Sequence, residues 1–197
     1  MAREDEPLGP AKGPVTAPDW SRDGRFLMFT EAAQETRTDL WYLSFPDRKK
    51  TSYLQTSFDE KSGTFSPDGR WVAYESNVTG RLEIYVDSFP EQTGRSLISR
   101  DGGRAPRWRG DGRELFFLAP DGTMMAAGIE TANGIRATTP GSLFKTGITI
   151  PENYHPFAVA HDGRRFLIPV RLNTQDFAPI TVVLNWQEEL KQRVPTR

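Results

Sequence analysis

The chain contains 197 residues and no cysteine, with 25 basic against 26 acidic side chains and a net charge of −1. The lack of cysteine excludes disulfide bonds, thiolate metal sites and cysteine nucleophiles. The balanced charge excludes the strongly basic surface that nucleic-acid binding requires. No apolar run approaches the ~20 residues of a membrane helix. Residues 1–14 also lack the apolar segment of a signal peptide, so we expect a soluble chain; its compartment is not indicated.

In chain order, the first recognisable element is a turn that recurs four times. It lies in the segments DWSRDGRFLMFTE at 19–31, TFSPDGRWVAYES at 64–76, RWRGDGRELFFLA at 107–119 and AVAHDGRRFLIPV at 158–170. The turn aspartates, 45, 43 and 51 residues apart, are Asp23, Asp68, Asp111 and Asp162. Aspartate can accept a hydrogen bond from its own backbone two residues on, and the following glycine takes a positive φ without cost. We therefore interpret these aspartates as turn formers between antiparallel strands, not as catalytic acids.

Further strands are predicted after each turn. Third strands are expected at 39–45, 82–89, 123–130 and 179–186, and fourth strands at 49–56, 94–99 and 141–146. Four short strands in about 40 to 45 residues are typical of a β-propeller blade. The sequence thus predicts an all-β fold, a β-propeller of four-stranded antiparallel blades with four blades per chain. A β-sandwich is the alternative, but it does not require one turn motif at a fixed phase.

The predicted domain organisation has three parts. We expect an N-terminal extension at 1–14, the four-repeat propeller domain at 15–186, and a charged C-terminal tail at 187–197 that is extended or a short helix. The fourth unit lacks an outermost strand, and an open half-ring would expose two apolar blade faces. We therefore expect a homodimer in which two chains complete one eight-bladed ring.

At these repeats the chain resembles TolB-like, WD40-like (PD40-type) β-propellers. The segments FSPDGRWVAYESNVTGRLEIYVDSFP, GGRAPRWRGDGRELFFLAPDGTMMA, FAVAHDGRRFLIPV and ITVVLNW carry the resemblance, which is nearest to the propellers that follow bacterial serine/threonine kinase domains. The resemblance implies a propeller, not an activity. The kinase signatures, namely the glycine-rich phosphate loop, HRD and DFG, are missing from this chain, so phosphoryl transfer is not expected.

Candidate site residues come from the loops that precede the innermost strands, because these loops meet ligands at the mouth of a propeller channel. The ligand-binding candidates are Glu60, Lys61, Arg104 and Tyr154. A divalent ion, Ca²⁺ or Zn²⁺, is the possible cofactor, with carboxylate, amide and imidazole ligands; the candidate ligands are Glu60, Asp101, Glu152, Asn153 and His155. The alternative is that these loop charges are only solvated. His161 occupies a turn position and is interpreted as structural and exposed.

Two functions of different classes follow. The first is a binding module that recognises a protein or a small ligand at the channel mouth. The second is a metal-dependent hydrolase of lactones, aryl esters or phosphotriesters with its ion on the propeller axis. The sequence contains no G-x-S-x-G nucleophile elbow and no Ser-His-Asp arrangement. Metal content and chelator-sensitive activity discriminate between the two.

Overall fold

The computed structural model describes residues 11–33, 36–132, 134–148, 157–169 and 181–183. Within these ranges the chain forms sixteen strands in four separate antiparallel sheets and contains no helix. The all-β prediction is therefore confirmed, with one sheet for each sequence repeat. None of the described segments is a helix with the length and apolarity to cross a membrane.

The first two sheets are four-stranded meanders in which the strands pair in sequence order. Sheet 1 comprises β1 (Val15–Trp20), β2 (Phe26–Ala33), β3 (Arg37–Ser44) and β4 (Lys49–Leu54). Sheet 2 comprises β5 (Glu60–Phe65), β6 (Trp71–Ser76), β7 (Glu83–Ser88) and β8 (Ser96–Leu97). The four strands predicted for each of these units are all present, although β8 has only two residues.

The third and fourth sheets depart from this regular plan. Sheet 3 comprises β9 (Arg104–Trp108), β10 (Glu114–Leu118), β11 (Thr123–Glu130), β12 (Arg136–Ala137) and β13 (Gly141–Lys145). The short β12 pairs with the last residues of β11, and β13 pairs with the first residues of β11. Two strands therefore lie side by side along the outer edge of sheet 3. The sequence predicted only β13 there. Sheet 4, within the described residues, comprises β14 (Ala158–Val159), β15 (Phe166–Ile168) and β16 (Thr181–Val183).

The recurring turn has the predicted geometry. The turn aspartates accept a hydrogen bond from the backbone N–H two residues on, at 2.9 to 3.1 Å, from Arg25, Arg70, Arg113 and Arg164. The following glycines have φ between 69° and 75°. The pKa of Asp23 is lowered to about 2 by hydrogen bonds from the backbone N–H of Arg25 and from the Ser21 hydroxyl. The interpretation of these aspartates as turn formers is confirmed.

Buried apolar side chains join each sheet to the next one along the chain. Between sheets 1 and 2, Met28 and Leu40 pack against a group that includes Tyr74 and Phe89. The interface of sheets 2 and 3 consists of Ala73, Ile84, Val86, Ile98, Leu115, Phe117, Ala127 and Ile129. The interface of sheets 3 and 4 centres on Phe116 and Phe166, whose rings lie edge to face at 5.1 Å. The sheets thus stack in sequence order, as blades of a propeller do.

The predicted domain boundaries are not tested by this arrangement. Strand β1 begins at Val15, where the propeller domain was expected to begin. Residues 1–10 of the extension, and the whole tail at 187–197, lie outside the described residues.

Candidate functional site

The innermost strand of each sheet lies beside the innermost strand of the next, so β1, β5, β9 and β14 are neighbours in space. Two ends of this array can be distinguished. The loop end contains the first residues of β5 and β9 together with the loops before β3 and β7. The turn end contains the Asp-Gly turns that follow the innermost strands. The predicted site residues that the structure describes lie at the loop end; they are Glu60, Lys61, Asp101 and Arg104.

Glu75, at the end of β6, connects sheet 2 to sheet 3 at the loop end. Its side chain is buried, and its Oε1 accepts the backbone N–H of Ala105 at 2.8 Å while its Oε2 lies 3.4 Å from Nε of Arg104. Ala105 has a φ of 54° and lies at a bulge in the pairing of β9 with β10. The carboxylate therefore holds the bulged start of the next innermost strand, and it orients Arg104.

The side chain of Glu60, the first residue of β5, lies between sheets 1 and 2. Its side chain is 2% exposed, and its Oε1 accepts hydrogen bonds from Thr56 Oγ1 at 2.6 Å and Ser76 Oγ at 3.5 Å. Burial raises the pKa of Glu60, and the nearby charge of Asp39 raises it further, although the bonds from Thr56 lower it. Oε2 of Glu60 and Oδ1 of Asp39 are both buried without a hydrogen-bond partner.

Asp59 closes the loop end between the same two sheets. Its backbone N–H donates to Oδ1 of Asn77 at 2.9 Å, and Nδ2 of Asn77 donates back to its carboxylate at 2.9 Å. Thr38 Oγ1 donates to the same carboxylate at 2.8 Å, and Arg37 lies 3.5 Å from it. Asp59 thus joins its own loop to the loop before β7 and to the first residues of β3. The neighbouring Lys61, a predicted ligand-binding residue, is partly buried in β5.

The predicted metal ligands that the structure describes do not converge. Asp101 is 96% exposed and lies 3.6 Å from the guanidinium of Arg81, whereas Glu60 is buried beside Asp39. Among the described residues there is no group of three Asp, Glu or His side chains that could hold a metal ion. The remaining candidates, Glu152, Asn153, Tyr154 and His155, lie outside the described residues. Ligand and metal roles for all of these residues stay predictions.

The turn end contains a polar cavity of about 250 Å³ that the sequence did not predict. It is lined by the ends of three innermost strands and by two of the turns that follow them, through Asp19, Trp20, Arg22, Thr64, Phe65, Ser66, Pro67, Arg107 and Trp108. Asp19, Thr64 and Arg107 each lie four residues before a turn aspartate. An alignment of the repeats on those aspartates would therefore have predicted that the three residues occupy equivalent positions in neighbouring innermost strands.

Solved structures similar to this chain include TolB and other β-propeller proteins. TolB from Acinetobacter baumannii is 15% identical with a TM-score of 0.59, over 82% of this chain and 38% of that one. The Cps50 (Swd1) β-propeller domain of Myceliophteria thermophila is 17% identical with a TM-score of 0.50, over 86% and 56%. A putative 6-phosphogluconolactonase from Bacteroides uniformis is 16% identical with a TM-score of 0.54, over 83% and 52%.

These similarities show the fold alone, because the identities are low. The chain spans 38 to 56% of the length of these three structures. No protein-family model matches the sequence, and no curated protein matches it either. The expected TolB-like propeller fold is therefore supported, whereas the link to kinase-associated propellers stays a prediction.

Proposed function

We propose that this chain is a β-propeller binding module that recognises a protein or a small ligand at the loop end. The observation that carries the proposal is the way charge is distributed there. The carboxylates of Glu60, Glu75 and Glu83 are each only 2% exposed. Basic side chains lie nearer the surface, with Arg37 and Arg81 more than half exposed. Although Asp101 is an exposed exception, the balance favours an acidic ligand.

The hydrogen bonds of the loop end support a binding role. Asp59 joins loops of sheets 1 and 2, and Glu75 holds the first residues of β9. Side chains that are fixed before binding lose little conformational entropy when a ligand arrives. Arg104, which lies against Glu75, is therefore a preorganised cation at this surface.

A charged peptide tests the proposal directly. We expect a fluorescent hexaglutamate peptide to bind the intact chain with salt-sensitive anisotropy, and hexalysine not to bind. Lys61→Gln and Arg104→Gln should each weaken binding by up to about fivefold, the range of one ion pair near the protein surface. The matched control is Arg25→Gln, at the exposed turn end. Equal binding by all three variants, or equal binding of both peptides, would contradict the proposal.

A metal-dependent hydrolase is the second candidate. The donor pair that favours it is Asp39 with Glu60, because each has one buried carboxylate oxygen without a partner. Carboxylate oxygens are ligands that hard divalent cations prefer. Metal analysis of the purified chain should be followed by lactone, aryl ester and phosphotriester assays with and without chelator. A metal-free chain that is inactive on all three substrate classes removes this candidate.

We also propose that two chains associate through their end sheets to complete an eight-bladed ring. Met28 and Leu40 face sheet 2, so the alternating Phe29 and Trp41 face the opposite side of sheet 1, where Lys50 lies over both rings. On sheet 4, Phe166 faces sheet 3 and the adjacent Leu167 is 47% exposed. Leu167 also lines an apolar hollow of about 290 Å³. Each end sheet thus presents apolar surface that a second copy can cover.

Light scattering tests this association with two matched variants. Leu167→Asp should convert the dimer to a monomer because it buries a charge in the expected interface. Leu97→Asp alters an equally exposed leucine, at 50%, on the outermost strand of sheet 2, and should leave the mass unchanged. A wild-type chain that stays a 22.2 kDa monomer contradicts the proposed ring.

A further inference from the structure

The cavity at the turn end, which we name the turn-end cavity, carries more positive than negative charge. Its lining includes the guanidinium groups of Arg22 and Arg107 and the single carboxylate of Asp19. Trp20 and Trp108 form part of its wall, and the indole N–H of Trp108 donates to the carbonyl oxygen of Thr64 at 3.2 Å. The net formal charge of the lining is therefore one positive unit.

Two of the three charged groups are engaged by the backbone of other sheets. Oδ2 of Asp19 accepts the N–H of Phe65 at 2.7 Å, and Nη1 of Arg22 donates to the carbonyl of Gly110 at 2.9 Å. These bonds connect sheet 1 to sheet 2 and sheet 1 to sheet 3. They hold both side chains in place at the rim of the turn-end cavity.

Arg107 is engaged differently. Its Nη1 donates to the carbonyl of the adjacent Pro106 at 3.1 Å, and among the described residues no carboxylate oxygen lies within 4.0 Å of its guanidinium. Burial lowers the pKa of Arg107, although the charges of Asp19 and Glu75 raise it. A guanidinium has five N–H donors in a planar fork. Arg107 thus presents donor capacity to the turn-end cavity.

Thr64 supplies a second and independent indication of a ligand. Its side chain is 4% exposed and lines the same cavity, yet its hydroxyl has no hydrogen-bond partner. A buried hydroxyl without a partner is costly and uncommon in folded proteins. Thr64 lies at the repeat position that Arg107 occupies in the next sheet. A donor and a cation therefore line one cavity from neighbouring innermost strands.

We infer that the turn-end cavity binds a small carboxylate-bearing molecule, with the Arg107 guanidinium as its charge partner and the Thr64 hydroxyl as an additional donor. The planar guanidinium fork matches the two oxygens of a carboxylate. One negative charge neutralises the lining, whereas a phosphate dianion would leave it with a net charge of −1. A volume of about 250 Å³ equals roughly eight water-sized groups, so the ligand is a small organic acid.

Calorimetric titration of the intact chain with sodium propionate and sodium benzoate tests this inference. Propionamide and benzamide are the uncharged controls, and inorganic phosphate tests the preference for a monoanion. We expect saturable binding of at least one carboxylate with a Kd of about 1 mM, the range of a single buried ion pair and a few contacts. Arg107→Gln should weaken that binding at least about tenfold, the effect of one charge-assisted hydrogen bond. Arg70→Gln, an exposed arginine in the turn after β5, should not weaken it.

Thr64→Val provides the second arm because valine has nearly the same shape without the hydroxyl. It should weaken carboxylate binding while preserving the fold, and this arm decides the matter if Arg107→Gln does not fold. The absence of saturable binding of either carboxylate to the wild-type chain would overturn the inference. So would equal binding of the amides, tighter binding of phosphate, or full binding by both Arg107→Gln and Thr64→Val. None of these results bears on the loop end, where hexaglutamate is the probe.

Discussion

Replacement of Glu75 by alanine should loosen the contact between sheets 2 and 3. The buried carboxylate accepts the Ala105 N–H at 2.8 Å and lies 3.4 Å from Nε of Arg104. Leaving a buried N–H without a partner costs roughly 1–3 kcal/mol, and a hydrogen bond to a charged group contributes roughly 1.5–3 kcal/mol. Since the two effects overlap, we expect Glu75→Ala to lower the free energy of unfolding by about 3 kcal/mol.

Urea unfolding followed by far-UV circular dichroism measures this loss. The matched variant is Glu75→Gln, whose amide oxygen can still accept the Ala105 N–H but which lacks the charge that faces Arg104. It should lose less than half as much stability as Glu75→Ala, with an unchanged urea dependence of the unfolding free energy. If the alanine variant stays within about 0.5 kcal/mol of wild type, the typical effect of a surface substitution, then Glu75 does not hold the start of β9.

Three further predictions concern a turn, a buried acid and an interface. Gly69 has a φ of +69° with open space around it, so Gly69→Val should cost about 1–2 kcal/mol from backbone strain alone; Gly94→Val, also in open space but without a positive φ, is the control, and equal melting temperatures would contradict the reasoning. Burial raises the pKa of Glu60, so its contribution to stability is full below the unfolded value of 4.5 and is lost as pH rises through the folded value. Glu60→Gln should therefore gain stability relative to wild type between pH 4 and pH 7, and a pH-independent difference in urea midpoint would exclude this. Phe116→Ala should lose roughly 3–5 kcal/mol as a fully buried ring, whereas Phe58→Ala, partly exposed, should change little; similar losses would place the interface of sheets 3 and 4 elsewhere.

The strands and turns could be predicted from the sequence because their signals are local. The Asp-Gly turn depends on residues two positions apart, as in the bond from the Arg70 N–H to Asp68. Strand β12, at the outer edge of sheet 3, was missed. It has only two residues, Arg136 and Ala137, and so short a strand shows no periodic pattern. Strands longer than a few residues could thus be predicted from composition and from the spacing of the turns.

The sites were harder to predict because they depend on contacts between repeats. Glu60 was correctly expected near the start of an innermost strand. The environment of its side chain, however, depends on Asp39 in the preceding sheet and on Thr56 in the loop before β5. The Asp19 carboxylate meets the Phe65 N–H across 46 residues of chain. Such pairs require the register and stacking of two sheets, which no single stretch of sequence encodes. Arg107 was missed for the same reason.

The same repeat position carries three chemically different side chains, and two of them join successive sheets. Seven residues after the turn aspartates stand Thr30, Glu75 and Leu118. Glu75 accepts a backbone hydrogen bond from sheet 3, Leu118 packs in the apolar interface with sheet 4, and the Thr30 hydroxyl is buried without a partner.

Sheets 1 and 2 are joined at both ends, by the bond from the Phe65 N–H to Asp19 at the turn end and by the bonds of Asp59 at the loop end. The Tyr53 hydroxyl also joins them, because it donates to the carbonyl of Ser88 at 2.9 Å. Between sheets 2 and 3, Glu75 accepts the Ala105 N–H at the loop end, and the indole N–H of Trp108 donates to the carbonyl of Thr64 at the turn end. A ligand in the turn-end cavity would add its hydrogen bonds where Arg107 has no carboxylate partner among the described residues. Such a ligand would therefore stabilise sheets 2 and 3 at the end that Glu75 does not reach.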